Sequence, residues 1–336
     1  MTEFAVLRSL EEWSAKFAAL QAESRHIWTR SGRQAVLSVG NFDGMHLGHQ
    51  KILGKVVERA RDAGDLAAVV TFDPHPLKVL RPGQAPPLLE TLAQRLANFQ
   101  AAGLDAALVL PFNEALSRIP AEEFAREILS NRLHASAILV GQNFRFGHRQ
   151  QGDVALLQEI GAQLGFEVEI VAPVIVGGQI VSSSAVRRFV AEGTVAEAAR
   201  LLGRPFVLTG EIERGTGRGS TVVVPTLNLK PEQELLPKPG VYATETHVGE
   251  NWYRSVTNVG FRPTFGGVQI SIETHVFEFK EMLTAGRLEL RFWKRLRDER
   301  KFAGAEELVR QIAADIERAR EFFQELDATP AASQPG

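Results

Sequence analysis

The segment Gly40-Asn41-Phe42-Asp43-Gly44-Met45-His46-Leu47-Gly48-His49 decides how the first half of this chain folds. Before it, Ala35 to Val39 are short, apolar and β-prone, the mark of a buried parallel strand. After it, Leu47 to Ala63 carry apolar and charged residues at helical spacing and stop at Gly64. A strand therefore passes directly into a helix. Gly44 and Gly48 lack a Cβ and let the backbone approach a ligand closely. His46 and His49, three apart on the opening turn, can face the same space. That turn also presents unpaired N–H groups and the positive end of the helix dipole, which favour an anion such as phosphate. Zinc fits the pair poorly, because no Glu stands between the two histidines as in a zincin helix and the chain has no Cys. Two histidines with only a structural role are the alternative.

The same rhythm continues outward. Ala67 to Phe72, Ala106 to Leu110, Ala137 to Val140 and Val168 to Val171 read as strands. Between them, Leu88 to Ala102, Ala121 to Leu129 and Val154 to Gly161 read as helices. This alternation predicts a doubly wound parallel sheet that binds ligands at the carboxyl ends of its strands. The histidine turn, the Asp73-Pro74-His75-Pro76 turn and the loop around Asn143 all follow strands. Ser182-Ser183-Ser184 precedes a helix expected over Val186 to Glu192, so these hydroxyls can cap it, hold a phosphate, or do both. Val195 to Leu202 is helical and leads to Gly203-Arg204-Pro205, a linker.

From Phe206 the pattern changes. Strands are expected at Phe206 to Ile212, Tyr242 to Val248, Trp252 to Val259, Ser271 to Phe277 and Arg287 to Phe292, separated by Gly, Pro and Asn turns. They suggest a small antiparallel β-barrel, closed by a helix over about Gly304 to Leu326. The fold class is thus α/β followed by β, with domains at 1–202 and 203–328. The Ala, Ser, Pro and Gly-rich tail 329–336 is expected to be disordered.

Composition agrees with this reading. With 336 residues, 44% of them apolar, the chain can bury two cores. A net charge of −2 without a long basic block argues against a nucleic-acid partner. No run approaches the ~20 apolar residues that span a bilayer. No basic-then-apolar leader precedes the first helix, and Cys is absent, so a cytoplasmic protein is the expectation.

The histidine segment resembles the GxFDGxHxGH signature of the nucleotidyltransferase superfamily. Further motifs narrow the resemblance to the bacterial bifunctional riboflavin kinase and FAD synthetase family. They are Thr71 to Pro76, Val140 to Gly147, Val181 to Arg187, Pro225-Thr226-Leu227-Asn228, Pro239 to Ala243, Asn258-Val259-Gly260, Arg262 to Phe265 and Glu273-Thr274-His275. The ordered set covers about nine-tenths of the chain.

The resemblance implies adenylylation of FMN to FAD by the first domain and ATP-dependent phosphorylation of riboflavin to FMN by a six-stranded barrel. ATP is a substrate of both steps, with Mg²⁺. In the first domain, His46 and His49 would be catalytic. Gly40, Phe42, Asp43, Gly44, Gly48, Ser183, Ser184 and Arg187 would contact nucleotide, and Asn143 flavin. No general base is needed there, since the attacking phosphate oxygen of FMN is already anionic. A ribityl hydroxyl is neutral, so the kinase step calls for a carboxylate, and Glu273 matches the family's base. Thr226 and Asn228 match the oxygen ligands of Mg²⁺ and phosphate. The turn Gly215-Thr216-Gly217-Arg218-Gly219 can wrap phosphates with its amides, although it is neither a Walker A loop nor a Rossmann fingerprint. One departure stands out: Val223-Val224 precedes Pro225, where the family usually has a glycine.

Two rival readings remain at this level. A different nucleotidyltransferase would explain the histidines but leave Asn228 and Glu273 idle. A barrel that only binds flavin would leave Glu273 without chemistry.

Overall fold

Six short strands build one parallel sheet: Ala5–Leu7 (β1), Ala35–Val39 (β2), Leu66–Asp73 (β3), Ala106–Pro111 (β4), Ala135–Gly141 (β5) and Glu167–Val171 (β6). The computed structural model describes residues 4–23, 34–213, 226–264, 267–279, 281 and 283–328. Strand order is β1-β4-β3-β2-β5-β6, every pair parallel. The chain leaves β2 in one direction through β3 and β4, then returns to its other side at β5. The topological switch therefore lies between β2 and β5, where open α/β sheets hold their ligands.

β2 is buried at all five positions because both faces of the sheet are covered. Ala35, Leu37 and Val39 pack with Trp13, Phe17, Phe124 and Ile128. Val36 packs on the other face with Leu53, Val56 and Phe99. Helix Leu47–Ala63 runs to Gly64, which takes the left-handed conformation expected of a stop. Its completely buried Leu53 and Val56 stabilise it by ~1.5–3 kcal/mol each. The surface pairs Lys55–Glu169 and Arg59–Glu167 add only ~0–1 kcal/mol apiece. Packing seats this helix, and the charges trim it.

Several helical expectations shift. The helix expected from Leu88 begins at Leu92, because Thr91 caps it with a full capping box and the preceding amides of Leu89 and Glu90 bond elsewhere. The helix expected over Ala121 to Leu129 continues to Arg132, with wider π-type hydrogen bonding from Phe124. The helix expected from Val186 starts at Ser183, with Ser182 Oγ accepting the Ala185 N–H at 3.3 Å. β1, too short to show a period, and the hairpin Ile175–Val176 (β7) with Gln179–Ile180 (β8) have no counterpart in the sequence reading.

The chain divides into two compact units, Met1–Val181 and Ser182–Gly336. The second opens with helices Ser183–Glu192 and Val195–Leu202. Six antiparallel strands follow: Phe206–Glu213 (β9), Leu227–Pro231 (β10), Gly240–Val248 (β11), Asn251–Thr264 (β12), Gly267–Val276 (β13) and Arg287–Asp298 (β14). They close in the order β10-β13-β12-β11-β14-β9. Five of these strands were legible in the sequence, and β10 is the sixth.

Alternation along the strands separates two environments. One face of each strand lines a barrel interior that is partly hydroxylic. Thr244, Thr246, Ser255, Thr257 and Thr274 are all completely buried there and bond to one another. The other face of β11 and β12 carries Val241, Ala243 and Val256, which pack under Ala319 and Phe323 of the helix Ala305–Ala328. That helix is also tied down by Asp315, which accepts Arg297 Nε at 3.0 Å and Nη2 at 2.7 Å. The residues 214–225, which include Gly215, Gly217, Gly219 and Val223, and the tail 329–336 lie outside the described residues.

Candidate nucleotide sites

The histidine turn departs from regular backbone as soon as β2 ends. Phe42 (φ 51°), Gly44 (φ 90°) and Met45 (φ 39°) are all left-handed. For the two non-glycine residues such a conformation costs on the order of 1–3 kcal/mol each, so neighbours must impose it. They do so from several directions. Asp43 is buried, and its carboxylate accepts the N–H groups of Leu89 (3.0 Å) and Glu90 (3.3 Å). A Cβ on Gly44 would stand 2.6 Å from Leu89 Cδ1, so only glycine closes this contact. The Phe42 ring lies against Gly40, where a Cβ would approach it to 3.2 Å. It meets the edges of His49 (5.1 Å) and Phe99 (5.7 Å).

His46 caps the helix Leu47–Ala63, its Nδ1 accepting the His49 N–H at 3.3 Å. In the neutral ring the proton then sits on Nε2. His46 and His49 stack at 3.7 Å and 16°, with Gly48 leaving room for the His46 ring. The two imidazoles thus form one unit at a helix N-terminus, at the carboxyl end of β2. His75 repeats the device at the end of β3. It caps helix Pro76–Leu80 through Nδ1, and its Nε2 lies 3.2 Å from the Asn41 side-chain amide. The Asp73–Pro74 peptide before it is cis. Asn143 is exposed in the turn after β5, on the other flank of the switch point. Phe144 and Phe146 stack at 5.5 Å just beyond it.

Ser183, Ser184 and Arg187 stand on the first turns of the helix that opens the second unit. Ser184 is exposed, while Ser183 and Arg187 are half-buried.

In the barrel the expected residues meet by register. Asn228 of β10 pairs directly with Glu273 of β13, and Glu273 pairs with Asn258 of β12. Directly paired residues project from the same face. The buried Thr274 beside Glu273 belongs to the interior hydroxyl cluster, so Glu273, Asn228 and Asn258 form a row on the outer face. Thr226, two residues before Asn228, is exposed. Glu299 closes on the same strand, accepting the Phe261 N–H at 3.1 Å, and a Cβ on Gly260 would stand 2.5 Å from its Oε1 and 2.9 Å from Asn258 Nδ2.

Three residues near these sites carried no signal of their own in the sequence. Asn258 belongs to a quoted motif but has no stated role until register places it beside Glu273. Glu299 sits in a charged run that reads as solvated surface. Arg95 reads as the polar face of a helix, yet it is buried beneath the histidine turn, donating from Nη1 to the Asn41 carbonyl (2.8 Å) and Thr71 Oγ1 (3.2 Å). Burial pulls the Arg95 guanidinium below its ordinary range, against the attraction of Asp43, Asp73 and Glu90.

Comparison with known proteins adds names to these two arrangements. Residues 29–185 match the family described as FAD synthetase, and residues 202–323 match the riboflavin kinase family. The bifunctional riboflavin kinase/FMN adenylyltransferase of Escherichia coli K12 is 35% identical over 289 residues, covering 86% of this chain and 92% of that protein. The protein of the same description from Pseudomonas fluorescens is 38% identical over 290 residues, covering 86% and 93%. A solved structure from Streptococcus pneumoniae, described as a macrolide-efflux protein, is similar with a TM-score of 0.79 and 26% identity over 94% of this chain and 98% of that one. Its description differs from those of the curated relatives. Among the described residues here, no helix is long and apolar enough to cross a membrane.

Proposed function

Since the chain belongs to the family of bifunctional riboflavin kinase/FMN adenylyltransferases, we propose a division of labour among its residues for the two reactions of FAD biosynthesis. The protein is a transferase that phosphorylates riboflavin to FMN and adenylylates FMN to FAD, with ATP as substrate in each step. What carries the division is that the stacked His46–His49 pair lies in one compact unit and the Asn228–Glu273 register pair in the other. The functional boundary at 202/203 belongs to this proposal.

In adenylyl transfer, an oxygen of the FMN phosphate attacks the α-phosphorus of ATP and pyrophosphate leaves. The charge to be stabilised is spread over phosphate oxygens, so fixed donors serve better than a base. His46 and His49 supply such donors at a helix N-terminus, where backbone N–H groups add to them. Gly40, Phe42, Gly44 and Gly48 shape the turn, and Asp43 holds it through Leu89 and Glu90. Asn143 would contact flavin, and Ser183, Ser184 and Arg187 nucleotide phosphate.

In the kinase step, the terminal ribityl hydroxyl attacks the γ-phosphorus of ATP, the β,γ-phosphoanhydride bond breaks to release ADP, and Glu273 accepts the hydroxyl proton. Among the described residues, no group of three or more His, Asp or Glu side chains is arranged to hold a metal. Mg²⁺ keeps water and substrate phosphates as most of its ligands and takes few from protein. Oxygens of Thr226 and Asn228 would hold it, and it would neutralise charge on the phosphates. A cytoplasmic setting fits substrates of this kind and is tested by cell fractionation.

Purified protein given riboflavin, ATP and Mg²⁺ should yield FAD, with FMN as the intermediate. His49→Ala should stop at FMN, and Glu273→Ala should convert only supplied FMN. Loss of both activities by either variant, in a folded protein, would overturn the assignment of residues to separate reactions.

A further inference from the structure

One helix, Leu92–Ala101, contributes two braces to the histidine turn. Arg95 and Phe99, one helical turn apart, reach the turn at two points. Arg95 Nη1 donates to the Asn41 carbonyl at 2.8 Å, and Thr71 Oγ1 donates to the same oxygen at 3.3 Å. Phe99 meets Phe42 edge-on, and Phe42 in turn meets His49. Asn41 also carries the link to His75, since its side-chain amide lies 3.2 Å from His75 Nε2. One peptide, Asn41–Phe42, thus connects the buried guanidinium to all three histidines at the strand ends.

Arg95 is 2% exposed and its Nε has no hydrogen-bond partner. A buried cation with an unsatisfied donor is an expensive way to fill space, and an apolar residue of the same volume would do that better. Its hydrogen bonds to Asn41, Thr71 and, at 3.5 Å, the Phe72 carbonyl all run from one nitrogen, Nη1. The planar fork of arginine is therefore not used.

We propose that Arg95 is a positioning residue for adenylyl transfer: by holding the Asn41 carbonyl it sets the left-handed turn that aims His46 and His49, and it does so as a point donor that lysine can replace. The proposal rests on the reading of the histidine turn as the adenylylation site. A misplacement of about 1 Å in such groups costs on the order of a hundredfold in rate.

The test is steady-state kinetics of the full-length protein with FMN and ATP. Arg95→Met, which keeps the volume and removes the donor, should lower kcat for FAD formation ~30–100-fold, with KM for ATP changed far less. Arg95→Lys should restore kcat to within ~5-fold of wild type, and riboflavin phosphorylation should be unaltered in both. Thr71→Val removes the second donor to the same carbonyl and should lower kcat in the same direction by a smaller factor; it carries the test if Arg95→Met does not fold. Wild-type kcat in folded Arg95→Met, or wild-type kcat in Thr71→Val should Arg95→Met not fold, overturns the proposal. So does equal loss in the Met and Lys variants, which would make the role one of shape. His49→Ala serves as the control: if it retains FAD formation, the site reading has failed, whereas its loss beside an active Arg95→Met isolates the failure to Arg95.

Discussion

The two units build their proposed sites from opposite materials. In the first, the site is a turn: ten consecutive residues leave a strand, pass through left-handed backbone at Phe42, Gly44 and Met45, and enter a helix. In the second, the site is a row: Asn228, Glu273 and Asn258 come from three strands and share nothing but register. A turn places donors by local geometry, and its precision depends on whatever holds that backbone in an unfavourable conformation. A row places them by pairing, and its precision depends on strands that cannot slip. A slip of one residue would carry Glu273 into the barrel interior. The buried hydroxyl cluster of Thr244, Thr246, Ser255, Thr257 and Thr274 opposes this, since the same slip would turn Thr274 outward and break its bonds to Thr246 and Thr257.

The contrast can be broken most directly at the row. Glu273→Gln keeps size and pairing but cannot accept a proton, so riboflavin phosphorylation should fall ~10²–10⁴-fold while FMN adenylylation stays within about twofold, as measured by separate assays of FMN and FAD formation. An equal fall in both would show that the two sites are not independent. At the turn, His49→Ala should reduce FAD formation ~10²–10³-fold and leave FMN formation alone, the loss expected for one fixed donor to a charged transition state. Gly44→Ala sharpens the point about backbone. A Cβ there meets Leu89 at 2.6 Å at a φ of 90°, so the first unit should lose about 1–3 kcal/mol in denaturant unfolding, with FAD formation falling and FMN formation kept. Thr257→Val makes the corresponding test of the row. Its hydroxyl lies 2.7 Å from Thr244 Oγ1 and 2.9 Å from Thr274 Oγ1, so its removal should cost ~1–2 kcal/mol of barrel stability and lower phosphorylation without touching adenylylation. Wild-type stability in this variant would remove the hydroxyl cluster from the account of register.

The turn was far easier to read in the sequence than the row, and the reason is physical. Strand β2, the glycines, the histidines and the helix with its Gly64 stop are contiguous, and each obeys rules of short range. The structure reproduces Ala35–Val39 and Leu47–Ala63 as read. The helix expected from Leu88 shows where short-range rules end. Leu88 to Glu90 fit a helical period, but the amides of Leu89 and Glu90 are taken by the Asp43 carboxylate, more than forty residues earlier. Asp43, expected to contact nucleotide, is itself buried where it accepts these amides. β10 was missing from the list of strands because five residues ending in Pro231 have little pattern of their own, and pairing on both sides makes them a strand. Arg95 and Glu299 looked like ordinary surface charges, since nothing within a few residues of either marks the distant carbonyl or amide it meets.

What the sequence by itself determined was the material of each half: alternating periods that demand a parallel sheet, then short strands that demand a barrel, with the motifs of a flavin-processing family set along both. Those properties follow from spacing along the chain, which is fixed before folding. Tertiary structure alone decided which distant side chains act together: that Asn41 joins a buried arginine to His75, and that Asn228, Asn258 and Glu273 share one face. Those meetings depend on hydrogen bonds and burial between segments tens of residues apart, and only closing the sheet and the barrel creates them.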